Sequence, residues 1–259
     1  MEYAIAIIGG LIGGFMNTVA SSGTAVTLPL LMFMGLPPAV ANATNRIPVV
    51  VGVLIASVTF IRSGVMNWNL AIKVVLPCTL GAILGAVIVD RIPAELVKIL
   101  IVIAVVMALL LLLTNFKRAF ERAIDALPRY RWQEAVYLFL TGLWIGLIVL
   151  DGGTYLLMVL MLSMQLPLLK ANAYKNLASV FTSGFSLAVM AIEGYVNWEI
   201  GGIMAIGSLA GGYIGARFSM HELAKKWTYR LLIMIIGLEL VHIVFTEWLG
   251  LSLTFMPGY

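Results

Sequence analysis

The sequence is poor in charged residues and has almost no cysteine or histidine. Charged residues occupy 11% of the 259 positions and hydrophobic residues 62%, whereas a globular protein has about 25% charged residues. One cysteine and two histidines exclude an internal disulfide and are too few for a metal centre, so we expect no metal. The net charge of +4 is modest and does not favour a nucleic-acid partner.

The sequence also lacks the motifs of several enzyme classes. No G-x-x-x-x-G-K-[ST] run occurs, so an ATP-driven pump would need a partner protein. Neither H-E-x-x-H nor G-x-S-x-G is present, which removes the expected chemistry of an intramembrane enzyme. We therefore predict that the protein is not an enzyme.

Long apolar stretches make up most of the chain. The mean hydropathy is +1.05, and several stretches have about the length that crosses roughly 30 Å of hydrocarbon. Strict alternation of apolar and polar residues is missing, so we predict helices embedded in a lipid bilayer. The predicted spans are Ile47–Ile61, Leu70–Val89, Leu96–Thr114, Trp132–Val149, Leu177–Ile192, Ile200–Ala216 and Tyr229–Phe245.

An internal repeat runs through the chain at an offset of 130 positions, the distance from Ala41 to Ala171. At this offset Asn67-Trp68 aligns with Asn197-Trp198, and "GAILGA" aligns with "GGYIGA". Such self-similarity indicates a duplicated structural unit. We divide the chain into a first transmembrane repeat (1–116), a cytoplasmic linker (117–131) and a second transmembrane repeat (132–259).

Each repeat begins with a segment interrupted by small and polar residues, "SSGT" in the first and "DGGT" in the second. We predict an all-α polytopic membrane protein in which each repeat has a broken or re-entrant pair of short helices and then three transmembrane helices, about 8–10 membrane segments in all. The linker is rich in lysine and arginine and "EGYVNWE" has neither, which favours inverted repeats by the positive-inside rule. Arg91 and Lys98 fall on the outer side and argue against inversion.

The two interruptions are the first candidate substrate site. A helix that begins inside the membrane exposes backbone N–H groups and the positive end of its dipole, which suit an anion. Small residues let the backbone approach a ligand, and hydroxyl groups can donate hydrogen bonds. Alternatively, these residues serve only close helix packing. The candidates are Ser22, Gly23, Thr24, Gly152, Gly153 and Thr154.

Two clusters of amides and cations, "ANATNR" and "ANAYKN", follow the interrupted segments. Inversion would bring them toward one pseudo-symmetric centre, where amides donate hydrogen bonds to an anion and cations neutralise it. Alternatively, Asn42 and Asn172 cap the next helix, and Arg46 and Lys175 are interfacial topology signals. The substrate-binding candidates are Asn42, Asn45, Arg46, Asn172, Tyr174, Lys175 and Asn176.

Three further residues are candidates for proton coupling. Asp151 either carries a coupling proton or caps the following short helix. Glu239 and His242 are three positions apart on the last span, so they share a helix face. They form either a proton relay or an interfacial pair.

At these residues the sequence resembles the TauE/SafE family of sulfite and organosulfonate exporters. The resemblance rests on "GGLIGGFMNTVASSGTAVTLPLLMFMGLPPAVANATN" and "RSGVMNWNLAIKVVLPCTLGAILGA", with a degenerate second copy. Where the family shows a Thr-Ser pair, the second copy has Tyr174-Lys175, which indicates a larger or more acidic anion.

The resemblance implies a multi-pass secondary transporter of the plasma membrane. It would move small sulfur-containing anions, commonly outward, by alternating access and without an organic cofactor. A carboxylate substrate, or uptake instead of export, is the alternative function, and an intramembrane enzyme is a weaker one. The expected partners are the anion and the lipid bilayer, and the sequence leaves open whether the chain forms a homo-oligomer.

Overall fold

The computed structural model describes residues 2–88, 128–147 and 152–243, which form nine α-helices and one π-helical segment. The predicted span Leu96–Thr114 lies outside the described residues. The helices are α1 (Glu2–Ala20), α2 (Thr24–Phe33), α3 (Pro38–Arg62), α4 (Trp68–Ile88), α5 (Trp132–Leu147), α6 (Gly152–Met158), the π-helical segment Val159–Ser163, α7 (Leu168–Ile192), α8 (Trp198–Ser219) and α9 (Leu223–Ile243).

Four of these helices, α1, α3, α4 and α7, are long and apolar enough to cross a membrane. A helix satisfies all its backbone hydrogen bonds internally, which is why apolar segments in lipid adopt it. Two shorter apolar helices lie between them, namely α2 and the α6–π-helical unit, at the places where the sequence predicted short elements. The prediction of an all-helical membrane protein is confirmed for the described residues.

The third helix of each repeat begins earlier than predicted. Each starts directly after a proline, α3 after Pro37 and α7 after Pro167. Asn42 and Asn172 therefore lie inside these helices, one turn beyond the start. Neither N-terminus has a side-chain cap, so the interpretation that these asparagines cap the next helix is wrong.

The backbone repeats at the same offset as the sequence. Helices α3 and α7 each contain 25 residues, and both their first and their last residues are 130 positions apart. Each is followed by a glycine with positive φ, Gly64 at 71° and Gly194 at 81°. Glycine adopts this left-handed conformation without steric cost, so both helices end at equivalent turns.

Helices of the two repeats pack closely against each other through glycine. A methyl group on Gly207 of α8 would overlap the carbonyl oxygen of Ile7 on α1, and one on Gly81 of α4 would overlap that of Phe139 on α5. Small residues allow such contact between backbones, which stabilises helix pairs in lipid by van der Waals packing. The first helix of each repeat therefore packs on the fourth helix of the other.

Helix α2 folds back along α1. Leu30 lies against Gly9, and Thr27 lies against Gly13, so positions advance along α2 as they retreat along α1. This pairing buries the apolar face of α2 in a cluster that includes Leu31. The interruption between the two helices consequently forms the tip of a hairpin.

Candidate functional site

The hairpin tip is formed by an unusual backbone conformation at Ser21. This residue has a φ of 65°, and its N–H donates to the carbonyl oxygen of Asn17 over 3.1 Å, which ends α1. Left-handed backbone is unfavourable for a non-glycine residue by roughly 1–2 kcal/mol. Two residues later, Gly23 packs so tightly on α1 that a methyl group there would overlap the carbonyl oxygen of Gly13.

The interruptions of the two repeats meet at this tip. A Cβ atom on Gly153, in the first turn of α6, would lie 2.9 Å from the Cβ atom of Ser21. The hydroxyl groups of Ser21 and Thr154 are buried and have no hydrogen-bond partner among the described residues. The two interrupted segments therefore contact each other at Ser21 and Gly153.

The cluster of the second repeat binds the end of α1. Lys175 Nζ donates to the carbonyl oxygens of Asn17 and Thr18 at 2.8 and 2.9 Å. Asn176 Nδ2 also donates to the carbonyl of Thr18, at 3.2 Å, and Asn172 Nδ2 donates to that of Val19, at 3.3 Å. The last carbonyls of a helix have no partner within the helix. For Thr18 and Val19, side chains on α7 supply that partner from the other repeat. The carbonyl of Asn17 also accepts from the Ser21 N–H, and Lys175 gives it a second donor.

Tyr174 makes a second contact between the repeats. Its hydroxyl oxygen accepts from the backbone N–H of Asn67 at 2.9 Å, just before α4 begins. At the equivalent place in the other repeat, Thr44 Oγ1 accepts from the backbone N–H of Asn197, also at 2.9 Å. Tyr174 and Thr44 are 130 positions apart, as are Asn197 and Asn67, so the two bonds are equivalent in the two repeats. This equivalence indicates a structural role for Tyr174.

In the cluster of the first repeat, Asn45 and Arg46 have no such partners among the described residues. Asn45 and Arg46 on α3 are both completely buried. Both polar side-chain atoms of Asn45 and all three guanidinium nitrogens of Arg46 lack a hydrogen-bond partner among the described residues. Asn42, one turn earlier, is half-buried. The two related clusters thus differ in their donors: those of Asn172, Lys175 and Asn176 are bonded to backbone carbonyls, whereas those of Asn45 and Arg46 are unpaired among the described residues.

A small cavity lies next to Asn45. Helices α1, α2, α3 and α8 surround it, and each of the four contributes a polar side chain to its lining. Its volume is about that of one water molecule, close to the minimum that holds a solvent molecule. The residues that line it include Gly13, Asn17, Gly23, Thr27, Asn45 and Ser208.

The remaining predicted positions are less informative. Ser22 Oγ donates to the carbonyl of Ala20 at 3.4 Å, Thr24 is buried, and Gly152 packs on Ile145. Asp151 lies outside the described residues, as do the side chains of Glu239 and His242 on α9. Within the described ranges, no group of three or more histidine, cysteine or acidic side chains is placed to hold a metal.

Sequence reasoning missed Asn17, Ser21 and Ser208. Asn17 is a polar residue in the apolar helix α1, one turn before the interruption, and this position was the available signal. Ser208 Oγ donates to the carbonyl oxygen of Pro48 at 2.5 Å, which joins α8 to α3. No pattern in the sequence marks that contact.

Comparison with known proteins gives a consistent result. The family described as "Sulfite exporter TauE/SafE" matches residues 6–241. A "Probable membrane transporter protein" of Haemophilus influenzae is 26% identical over 85% of this chain and 86% of its own length. "Probable membrane transporter protein YfcA" of Escherichia coli K12 is 24% identical over 93% of this chain and 92% of its own length. No solved structure matches this chain significantly.

Proposed function

Because this chain belongs to the sulfite exporter TauE/SafE family, we propose that it is a secondary carrier that moves a small sulfur-containing anion, such as sulfite or an organosulfonate, out of the cell. Family membership makes it a multi-pass membrane transporter and not an enzyme, as the sequence predicted. A carboxylate substrate and transport in the inward direction are the alternatives that the same site chemistry allows.

The buried guanidinium of Arg46 is the observation that carries the proposal. Arg46 is 0% exposed and has no hydrogen-bond partner among the described residues. Removing an unpaired ion from water costs several kcal/mol. An anion beside Arg46 offsets this cost, and the unpaired amide of Asn45 is an adjacent donor. We place the substrate at this pair.

Contacts between helices support the inverted arrangement of the repeats. Phe60, near the end of α3, shares a buried cluster with Ala173, near the start of α7. At the other end, Thr44 near the start of α3 bonds to Asn197, which follows the end of α7. These contacts support equivalent helices that run in opposite directions, which is the arrangement of transporters with inverted repeats.

The distribution of charge supports an orientation. The end of the molecule that contains the start of α7 carries the lysines and arginines, whereas the opposite end carries Glu2, Glu193 and Glu199 and no described lysine or arginine. By the positive-inside rule, the first end is cytoplasmic. The cations there include Arg62, Lys73, Arg129, Arg131, Lys170, Arg217 and Lys226.

Transport requires the helices around the cavity to separate. The cavity beside Asn45 is about the size of one water molecule, so it is too small for sulfite. Pro48 lies within α3 one turn after Thr44, and a proline lacks the N–H that would bond to the carbonyl four residues earlier. We place the bend that admits substrate at Pro48, next to Arg46.

The test compares two arginines of the same helix. Arg46→Gln removes the buried charge, and Arg62→Gln removes an exposed charge at the end of α3. We expect proteoliposomes with Arg46→Gln to lose saturable transport of sulfite and methanesulfonate, because the anion loses its counter-charge. Arg62→Gln should transport at the wild-type rate.

Folding is checked separately by the elution profile and thermal stability of each variant in detergent. If a folded Arg46→Gln protein transports sulfite at the wild-type rate, the assignment of the site is wrong. If the wild-type protein transports acetate but neither sulfite nor methanesulfonate, the carboxylate alternative is favoured.

A further inference from the structure

The C-terminal end of α1 is capped by a lysine from the other repeat. The last turn of α1 directs carbonyl oxygens toward the hairpin tip, and a helix C-terminus carries a partial negative charge of about half an elementary charge. Lys175 Nζ is 2.8 Å from one of these oxygens, on Asn17, and 2.9 Å from another, on Thr18. The ammonium group thus lies at the negative end of the helix dipole.

The Lys175 ammonium group has surroundings like those of a metal ion bound inside a transporter. The side chain is 1% exposed, and within the described ranges no carboxylate forms an ion pair with it. Asn176 donates to the carbonyl of Thr18 and Asn172 to that of Val19, so amide groups complete the set of donors around the helix end. In secondary transporters, half-helix C-termini and unwound carbonyls of this kind coordinate a coupling Na⁺.

We propose that the Lys175 ammonium is a built-in cation that takes the place of a coupling metal ion at the end of α1. The carrier then needs no Na⁺ at this position, because the positive charge belongs to the chain. This inference rests on the proposed function for its role in transport, but the occupancy of the site is tested without transport.

The first test measures the unfolding temperature of the purified protein in detergent. Wild type should unfold at the same temperature in NaCl, KCl and choline chloride of equal ionic strength. Lys175→Ala should unfold roughly 10 °C lower, because two charge-assisted hydrogen bonds are lost. Lys175→Ala should then regain stability with increasing Na⁺ or propylammonium, in a saturable manner, because each ligand binds only the folded state.

Lys170→Ala is the matched control, since Lys170 lies on the same helix and has no contact of this kind in the described ranges. It should show neither the loss of stability nor the cation response. Stabilisation of wild type by Na⁺ over choline would overturn the proposal, and this arm does not depend on any variant folding. A folded Lys175→Ala that responds to none of the cations would also overturn it.

Transport provides the second test. Sulfite or methanesulfonate flux into wild-type proteoliposomes should be unchanged when choline replaces Na⁺ on both sides. A flux that depends on Na⁺ would overturn the proposal that Lys175 takes the place of a coupling metal ion. If no anion is transported while the stability results hold, the proposed function fails and the cation assignment stands.

Discussion

The contact of α1 with α8 gives the sharpest prediction about the fold. Gly207 of α8 lies against the backbone of α1, where an added methyl group would overlap the carbonyl oxygen of Ile7 and would lie 2.7 Å from the backbone nitrogen of Leu11. On the same helix, a methyl group on Gly202 would meet no atom within 4 Å. Gly207→Ala therefore introduces a methyl group into a tightly packed position, and Gly202→Ala introduces one into an open position.

The two variants should differ in stability by about 1–3 kcal/mol, because both gain the same helix propensity and only Gly207→Ala is overpacked. Replacing a helical glycine by alanine favours the helix by roughly 0.5–1 kcal/mol, which is the expected result at Gly202. At Gly207 the helices must move apart, and overpacking of this kind costs about 1–3 kcal/mol. Since 1 kcal/mol shifts the unfolding temperature of a chain of this size by roughly 2–4 °C, Gly207→Ala should unfold about 2–12 °C below Gly202→Ala.

Thermal unfolding in detergent, followed by intrinsic tryptophan fluorescence, measures the difference. Both variants should reach the membrane, because alanine is compatible with a transmembrane helix. If Gly207→Ala is as stable as Gly202→Ala, α1 and α8 do not pack at this position, and the arrangement of the two repeats is wrong.

Three other predictions follow from single contacts. Tyr174→Phe removes the acceptor of the Asn67 N–H and should lower the stability by about 0.5–1.5 kcal/mol without changing KM for sulfite. A changed KM would indicate that Tyr174 contacts the substrate. Cys78 is fully buried, with its Sγ 3.2 Å from the carbonyl oxygen of Leu138, so maleimide should label it only after denaturation in detergent. Labelling of the folded protein at the same rate would contradict that packing. Asn67→Cys and Asn197→Cys, each combined with Cys78→Ala, should react with an impermeant thiol reagent on opposite faces of the membrane, and reaction on one face refutes inversion.

Much of the architecture could be predicted because the repeat and the apolar spans leave direct traces in the sequence. The offset of 130 positions, read from Ala41 and Ala171, reappears in the bounds of α3 and α7. The lengths of α3 and α7 were harder to predict. The amide and cation clusters make the first turns of α3 and α7 less apolar than the rest, so hydropathy placed the start of both helices too late.

The site was predictable in composition but not in the use of each residue. The clusters around Asn45 and Lys175 look alike in the sequence, yet only the second is bonded to α1. The acceptors are backbone carbonyl oxygens, which every residue carries and no sequence pattern distinguishes. Which polar side chains are bonded to a helix end and which are left unpaired therefore appears only in three dimensions.

The exchange of partners between the repeats also constrains biosynthesis. Helix α1 ends at Ala20, but its partner α8 begins at Trp198. At a synthesis rate of 5–20 residues per second, α1 is in place roughly 9–36 s before α8 emerges. During this interval its glycine face and its terminal carbonyl groups meet lipid or an insertion factor. The contacts of α1 with α7 and α8 therefore form only late in synthesis, after most of the chain has been made.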